Sequence, residues 1–211
     1  NAIFQCLKGS NLNEIDQIIL TASGGPFLNT PINKLDDVKV EQALTHPKWR
    51  MGKKITVDSS TLMNKILELI EAEKLFKIPN HKLDILIHPE SLIHAVIQFK
   101  NGLSKMLFHD TSMVIPLANA IFDGKLNIED FHKNKKERNI EFENLRFEKV
   151  NPKIFPTISL KKIANQYPST PIILNSCNEV LVDQFLRENI PFLSIYKIIM
   201  TILKDRNFKK Y

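Results

Sequence analysis

A short β-branched run and a helical repeat follow one another between residues 54 and 72. Residues 54–57 (KITV) predict a strand, and Asp58 and Ser59, both common N-cap residues, predict that a helix begins next. Apolar residues then recur about every 3.6 positions along one face, at Leu62, Ile66, Leu69 and Ile70. The other face of this predicted helix is polar, with Thr61, Asn64, Lys65, Glu68 and Glu71.

The polar face has the side chains of a ligand site. A helix N-terminus offers unpaired backbone N–H groups and a positive dipole, so an anion such as phosphate is expected near Ser59. Asn64 and Lys65 follow one turn later, and the spacing of Glu68 from both lets the three side chains converge. A carboxylate next to an anion site suits a hard divalent cation. The alternative is a surface helix on which Lys65 and Glu68 pair in solvent.

The remaining pattern predicts an α+β fold, with a mixed sheet and helices on one face, followed by a smaller, mostly helical C-terminal domain. Strands are expected at 17–22, 82–89, 91–99 and 103–108, with a hairpin turn at Asn101 and Gly102. Helices are expected at 33–44, 113–122, 180–186 and 192–203. The predicted domains are 1–122 and 145–211, joined by a charged, turn-rich linker at 123–144.

Two loops carry further candidate residues. Residues 23–27 (SGGPF) follow a predicted strand, and the two glycines can turn successive N–H groups toward one anion, although an ordinary turn also explains them. Residues 46–52 (HPKWRMG), here called the flap, contain the only tryptophan of the chain in a polar setting. Such a loop is typical of a segment that closes over a substrate and excludes water.

Composition narrows the class of protein. No apolar run reaches the roughly 18–20 residues of a membrane span, so we expect no membrane partner. Cys6 and Cys177 are far apart and form no zinc motif, which favours free thiols in the cytoplasm. The net charge of +6 raises the possibility of nucleic-acid binding. However, the main basic run, 133–138, includes a glutamate and no aromatic residue, so we interpret it as a solvated loop and expect no nucleic acid.

Three stretches together carry a resemblance to a known family: residues 23–27, residues 46–72 and residues 87–94 (IHPESLIH). They resemble the 1-deoxy-D-xylulose 5-phosphate reductoisomerase family, which forms 2-C-methyl-D-erythritol 4-phosphate in non-mevalonate isoprenoid biosynthesis. The resemblance implies an NADPH-dependent oxidoreductase that also requires Mn²⁺ or Mg²⁺, acts on a small phosphosugar and is a homodimer. Residues 174–180 (LNSCNEV) resemble a family segment in the C-terminal part.

The resemblance also implies a role for each matching residue. The phosphosugar is expected to contact Ser23, His46, Ser59, Asn64, Lys65 and Glu68. Glu68 is the expected metal ligand, and Glu68 and His46 are the expected catalytic residues. Trp49 and Met51 of the flap are expected to cover the substrate, and Gly52 to lie near the nicotinamide cofactor. Ile66 departs from the family pattern, in which a smaller residue is usual.

The resemblance further implies that family members carry an NADPH-binding domain, and two more metal carboxylates, upstream of Asn1. We therefore expect these 211 residues to be a fragment that is inactive by itself. A phosphosugar-binding module without catalysis is the alternative, and it predicts binding that is independent of metal and of Glu68. A basic nucleic-acid-binding domain is a third hypothesis, which predicts steeply salt-dependent binding.

Overall fold

The computed structural model describes residues 1–48, 51–125 and 145–207. Its helices are α1 Ala2–Leu7, α2 Val40–Ala43, α3 Lys53–Thr61, α4 Met63–Phe76, α5 Val114–Ile121, α6 Thr170–Leu186 and α7 Ser194–Lys204. Its strands are β1 Ile15–Ala22, β2 Leu83–Ile87, β3 Ile93–Phe99, β4 Ser104–Phe108 and β5 Glu148–Lys149. The predicted α+β fold with a mixed sheet is confirmed, and the chain after β5 is helical in the part that the structure describes.

The strands form one sheet in the order β4-β3-β1-β2-β5. Strand β3 is antiparallel to both β1 and β4, with Ile97 opposite Ile18 on one side and Lys105 on the other. The predicted hairpin joins β3 to β4, and Gly102 adopts φ 86° there, a conformation that glycine reaches without a steric penalty. The apolar runs and the turn pair therefore predicted these strands correctly, to within two residues at each end.

The described residues cluster into two compact units, each built from two stretches of chain. The first unit comprises 1–23 and 86–148, and the second comprises 24–85 and 149–211. The predicted linker at 123–144 lies almost wholly outside the described residues, as does the basic run at 133–138. The predicted division of the chain at that linker therefore stays a prediction.

In the first unit, α1 packs against β3 and β4. Asn1 donates to the carbonyl of Pro116 at 2.7 Å, and Lys8 pairs with Asp123 at 2.7 Å, so both ends of α5 are tied to the α1 segment. Among the described residues, no helix is long and apolar enough to cross a membrane.

In the second unit, α4 packs against α3, α6 and the 3₁₀ helix Pro156–Lys162. Phe192, just before α7, makes edge-on contacts with Phe27 and Phe185 at ring-centroid distances of 5.0 and 5.6 Å. The predicted helix at 33–44 is instead a 3₁₀ turn, Ile32–Lys34, followed by the short α2. The apolar residues predicted to face inward there are buried, namely Leu35, Val38 and Ala43.

The prediction of a strand at residues 54–57 is wrong, because this run belongs to helix α3. Gly52 precedes the helix, and Thr56 donates its hydroxyl proton to the Gly52 carbonyl at 2.9 Å, which occupies an acceptor of the first turn. The β-branched preference of Ile55, Thr56 and Val57 for strands is a weak one, and packing in the second unit overrides it. The amphipathic helix therefore begins at Met63, and Asp58 and Ser59 are not its N-cap residues.

Candidate anion- and metal-binding site

Helices α3 and α4 meet at Leu62, whose backbone adopts φ 66° and ψ 8°. This left-handed conformation is uncommon for a residue with a branched side chain and is strained by about 1–2 kcal/mol. The side chain of Leu62 is buried, and its N–H donates to the Ser59 carbonyl at 3.2 Å. Burial and this bond keep the junction in one conformation, which places the last turn of α3 next to the first turn of α4.

Three polar side chains converge at the start of α4, as their spacing predicted. The Glu68 carboxylate accepts from Asn64 Nδ2 at 2.7 Å and from Lys65 Nζ at 2.8 and 2.7 Å. The side chains of Lys65 and Glu68 are 19% and 31% exposed, so the pair can be reached from solvent. We call Asn64, Lys65 and Glu68 the α4 cluster. It offers an amide donor, a cation and a carboxylate within one turn and a half of helix.

The α4 cluster provides one carboxylate for a metal ion. Among the described residues, no group of three or more His, Cys, Asp or Glu side chains is arranged to bind a metal. Glu68 is half-buried and its oxygens are of the hard type that Mg²⁺ and Mn²⁺ prefer, so the residue fits the role of one ligand. A cation binding there must compete with Lys65 for the same oxygens, and needs further oxygen ligands.

His46 connects the start of the flap to the end of α3. Its Nδ1 accepts from the backbone N–H of Lys48 at 3.1 Å, which leaves Nε2 as the protonated nitrogen of the neutral ring. Nε2 lies 3.1 Å from Ser59 Oγ and donates to it, so the Ser59 hydroxyl proton remains available to an acceptor. Burial lowers the pKa of His46 below its ordinary value, which favours this neutral form.

The prediction that Ser59 lies at a helix N-terminus is wrong. Ser59 lies in the last turn of α3, where the helix dipole is negative, so the dipole argument applies to Asn64 and Lys65 in the first turn of α4 instead. Gly25, with φ 58°, approaches this turn closely, and a Cβ atom added to it would lie 3.1 Å from the Ser59 carbonyl oxygen. The glycine-rich turn therefore packs directly on the backbone of the residue that the sequence singled out.

Three other predicted site residues lie next to the ends of helices or strands. Ser23 is in the first unit, directly after β1. Met51 is half-buried, and Gly52 is exposed at the start of α3, where no other described residue places an atom within 4 Å of a Cβ added to it. Trp49 lies outside the described residues. The expected covering role of the flap therefore stays a prediction.

A polar cluster around the buried Asp58 was not predicted from the sequence. Asp58 is 2% exposed, and its carboxylate accepts from Asn178 Nδ2 and pairs with Lys54 Nζ, both at 2.8 Å. Lys54 also pairs with Glu179 at 2.9 Å. We call Lys54, Asp58, Asn178 and Glu179 the Asp58 cluster. The only signal for it in the sequence was the motif at 174–180, which gave no partner for Asn178.

Two family models match the chain. A model described as the 1-deoxy-D-xylulose 5-phosphate reductoisomerase C-terminal domain matches residues 1–76. A second, described as the DXP reductoisomerase C-terminal domain, matches residues 109–211. The α4 cluster falls within the first match and Asn178 within the second.

Curated relatives and solved structures give the same family. The chain is 41% identical to the 1-deoxy-D-xylulose 5-phosphate reductoisomerase of Pelagibacter ubique and 43% identical to that of a Sulfurihydrogenibium species. Both alignments cover 100% of this chain but only 54% and 56% of those relatives, so the chain spans about half of their length.

A crystal structure of DOX-P reductoisomerase in complex with NADPH, fosmidomycin and magnesium superposes with a TM-score of 0.88 at 31% identity, covering 98% of this chain and 52% of that one. The Zymomonas mobilis enzyme in complex with NADPH gives a TM-score of 0.80 at 34% identity, covering 96% of this chain and 52% of that one. The chain therefore belongs to the 1-deoxy-D-xylulose 5-phosphate reductoisomerase family.

Proposed function

We propose that this chain forms the substrate- and metal-binding part of an NADPH-dependent reductoisomerase that converts 1-deoxy-D-xylulose 5-phosphate to 2-C-methyl-D-erythritol 4-phosphate. The observation that carries the proposal is the convergence of Asn64, Lys65 and Glu68 at the start of α4. Membership of the family supports it, and so do the NADPH, fosmidomycin and magnesium complexes of its structural neighbours. The relatives' name supplies the substrate.

In this proposal the phosphate binds to Ser59, Asn64 and Lys65, which we call the anion site. The Ser59 hydroxyl donates its proton, because its oxygen already accepts from His46. Lys65 turns from Glu68 toward the phosphate, so the two charges exchange partners rather than being left unpaired. Binding energy gained at the phosphate then helps to orient the reacting end of the sugar. We assign Ser23 to the same phosphate on the family resemblance alone.

Glu68 is proposed as one ligand of a Mg²⁺ or Mn²⁺ ion, whose chemistry is to withdraw charge from the carbonyl and hydroxyl oxygens of the ketose. The carboxylate that Lys65 releases becomes available to that cation, so phosphate binding and metal binding favour each other. NADPH supplies the hydride, and the space beside Gly52 is open among the described residues. The flap, with His46, Trp49 and Met51, is proposed to exclude water. On the resemblance we also propose that the enzyme is a cytoplasmic homodimer. We propose that these 211 residues alone are inactive.

The test is a titration of the ¹⁵N-labelled chain with 1-deoxy-D-xylulose 5-phosphate, followed by amide chemical shifts. We expect shifts at Ser59, Asn64 and Lys65, and at least tenfold weaker binding for Lys65→Met, since a charge-assisted bond to phosphate is worth about 1.5–3 kcal/mol. Lys74→Met, which removes an exposed lysine from the last turn of the same helix, should bind like the wild type. Equal binding of the dephosphorylated sugar would remove the phosphate site from the proposal.

Mn²⁺ separates the enzyme from the non-catalytic alternative. With the phosphosugar bound, paramagnetic broadening by Mn²⁺ should centre on Glu68 and disappear in Glu68→Gln, while Glu71→Gln on the exposed face of α4 should leave it unchanged. Relaxation by Mn²⁺ detects even a weakly bound ion, so one carboxylate is enough for the measurement. Broadening that is the same in Glu68→Gln would favour a phosphosugar-binding module without catalysis.

A further inference from the structure

Asp58, the central residue of the Asp58 cluster, directly precedes Ser59 of the anion site in the chain. Asp58 and Ser59 are consecutive in the last turn of α3, and their side chains have different surroundings. Asp58 is buried and bonded to Asn178 of α6, whereas the half-buried Ser59 meets His46. The backbone position of Ser59 is therefore linked, through one peptide unit, to the backbone position of Asp58.

The bond between Asp58 and Asn178 allows little variation. A buried carboxylate is stable only where donors point at it. Lys54 belongs to α3 itself, so the bond from Asn178 Nδ2 of α6 is the one that relates this turn of α3 to another helix. Asn178 is fully buried, and its Oδ1 has no hydrogen-bond partner among the described residues. The amide is thus oriented by Asp58 alone, because the flipped amide would put its oxygen against the carboxylate.

We propose that Asp58 and Asn178 are positioning residues of the anion site, which fix the last turn of α3 so that Ser59 meets the phosphate. The inference rests on the proposed function. It assigns a task to the second asparagine of the 174–180 motif, which lies far along the chain from the residues that contact the ligand. Lys54 and Glu179 are the charged groups that act on Asp58, and Lys54 completes its shell.

A purely stabilising role makes a different prediction. If the Asp58–Asn178 bond served stability only, weakening it would lower the melting temperature but leave the affinity of the folded chain for anions unchanged. A positioning role requires the affinity to change in the folded chain, and to follow the state of the bond. Asn178→Asp makes that state adjustable by pH, because two facing carboxyl groups can share one proton but repel when both are ionised.

The experiment measures the affinity of inorganic sulfate, whose charge does not change between pH 5 and pH 8, for the 211-residue chain. The readout is the amide shift of Ser59 and Asn64. Relative to the wild type at the same pH, Asn178→Asp should bind equally at pH 5 and about tenfold more weakly at pH 8, which is the lower end of the losses seen when outer-shell partners of metal ligands are changed. Asn175→Asp, an exposed position of α6, should match the wild type at both pH values.

Each outcome has one meaning. No sulfate shift in the wild type would overturn the anion site of the proposed function, and this inference with it. Normal wild-type binding with an unchanged affinity of Asn178→Asp at pH 8 would overturn the positioning role alone. If that variant unfolds at pH 8, Asn178→Ser replaces it, since a serine hydroxyl is neutral but too short to reach Asp58. Wild-type sulfate affinity in folded Asn178→Ser would also overturn the inference, and a roughly tenfold loss would support it.

Discussion

Helices α3 and α4 are consecutive in the chain but are built on opposite principles. Helix α4 buries Met63, Ile66 and Leu69 and leaves its polar residues within reach of solvent. Helix α3 buries mainly polar residues, namely Thr56, Asp58, Ser60 and Thr61, together with Val57. In α3 the hydroxyls of Thr56, Ser60 and Thr61 bond to the backbone of the same segment, and Asp58 accepts from Asn178 of α6. A directional hydrogen bond therefore joins α3 to another helix, whereas α4 packs mainly by non-directional apolar contacts.

This difference matches the tasks of the two helices. Apolar burial tolerates small displacements, because its free energy depends on area and not on direction. Buried hydrogen bonds weaken when the donor leaves the range of about 2.7–3.2 Å or turns away from the acceptor, so they fix position more strictly. Helix α4 supplies the side chains of the α4 cluster, whereas α3 determines where Ser59 stands relative to them. Each of the following variants changes either α3 or α4.

The largest effect is expected from Ile66→Ala, which removes a fully buried side chain of α4. The loss of apolar contacts and the resulting cavity should lower the free energy of unfolding by about 3 kcal/mol. The loss should be the same at every pH, since no ionisable group is involved. Denaturant unfolding measures it, and Leu75→Ala, at a side chain of the same helix that is 65% exposed, is the control. A pH-dependent loss in Ile66→Ala would contradict the assignment of α4 to apolar burial.

A smaller and pH-dependent effect is expected from Lys54→Met. Burial raises the pKa of Asp58, while its bonds to Asn178 and Lys54 oppose the rise. Removing Lys54 therefore raises this pKa further and leaves a buried carboxylate with one neutral donor. At neutral pH the loss should be about 2 kcal/mol, below the 3–5 typical of fully buried pairs because Lys54 is partly exposed.

The sign of the pH dependence follows from proton binding. A carboxyl whose pKa is higher in the folded chain than its ordinary value of 3.8 binds more protons when folded. The loss in Lys54→Met should thus shrink as the pH falls through the raised pKa toward 3.8, and be largest above it. Unfolding measured at several pH values tests this, with the exposed Lys53→Met as control. An equal loss at all pH values would mean that Asp58 is not the responsible group.

The smallest effect is expected from Gly25→Ala, which acts on α3 from outside. The added Cβ must adopt φ 58° and lie 3.1 Å from the Ser59 carbonyl oxygen. Gly9→Ala imposes a similar φ of 69°, and no other residue that the structure describes has an atom within 4 Å of the added Cβ, so this variant measures the backbone strain. Both should lose about 1 kcal/mol by strain, and Gly25→Ala slightly more by contact. Equal losses of melting temperature in the two variants would show that α3 shifts to accommodate the added Cβ without a loss of stability.

How far the sequence predicts the structure depends on the same contrast. The 3.6-residue repeat of apolar positions identified α4, and i to i+4 spacing identified the convergence of Asn64 and Glu68. No such repeat marks α3, because its buried positions are polar and its exposed ones include Ile55. The β-branched run at 55–57 then favoured a strand. The strand preference of these residues was outweighed by contacts of α3 with residues elsewhere in the chain, such as Asn178.

The site shows the same limit. Asp58 and Asn178 are 120 residues apart, and nothing in either local sequence identifies the other as its partner. The left-handed conformation of Leu62 separates α3 from α4, so Ser59 lies at the end of α3 and not at the start of the predicted helix. The sequence gives no sign of this conformation, since leucine rarely adopts it. The contact of His46 with Ser59 was not predicted from spacing, and only the family resemblance brought the two residues together as a pair of substrate contacts.

The interleaved composition of the second unit has a consequence for biosynthesis. Residues 24–85 leave the ribosome first, but they complete their unit only with residues 149–211. At about 5–20 residues per second, α3 is exposed for several seconds before α6 arrives with Asn178. During that interval the Asp58 carboxylate is solvated, and it is removed from water only when Asn178 is present to donate a hydrogen bond to it. Polar residues in α3 thus leave less apolar surface exposed on the nascent segment than an apolar interface at the same place would.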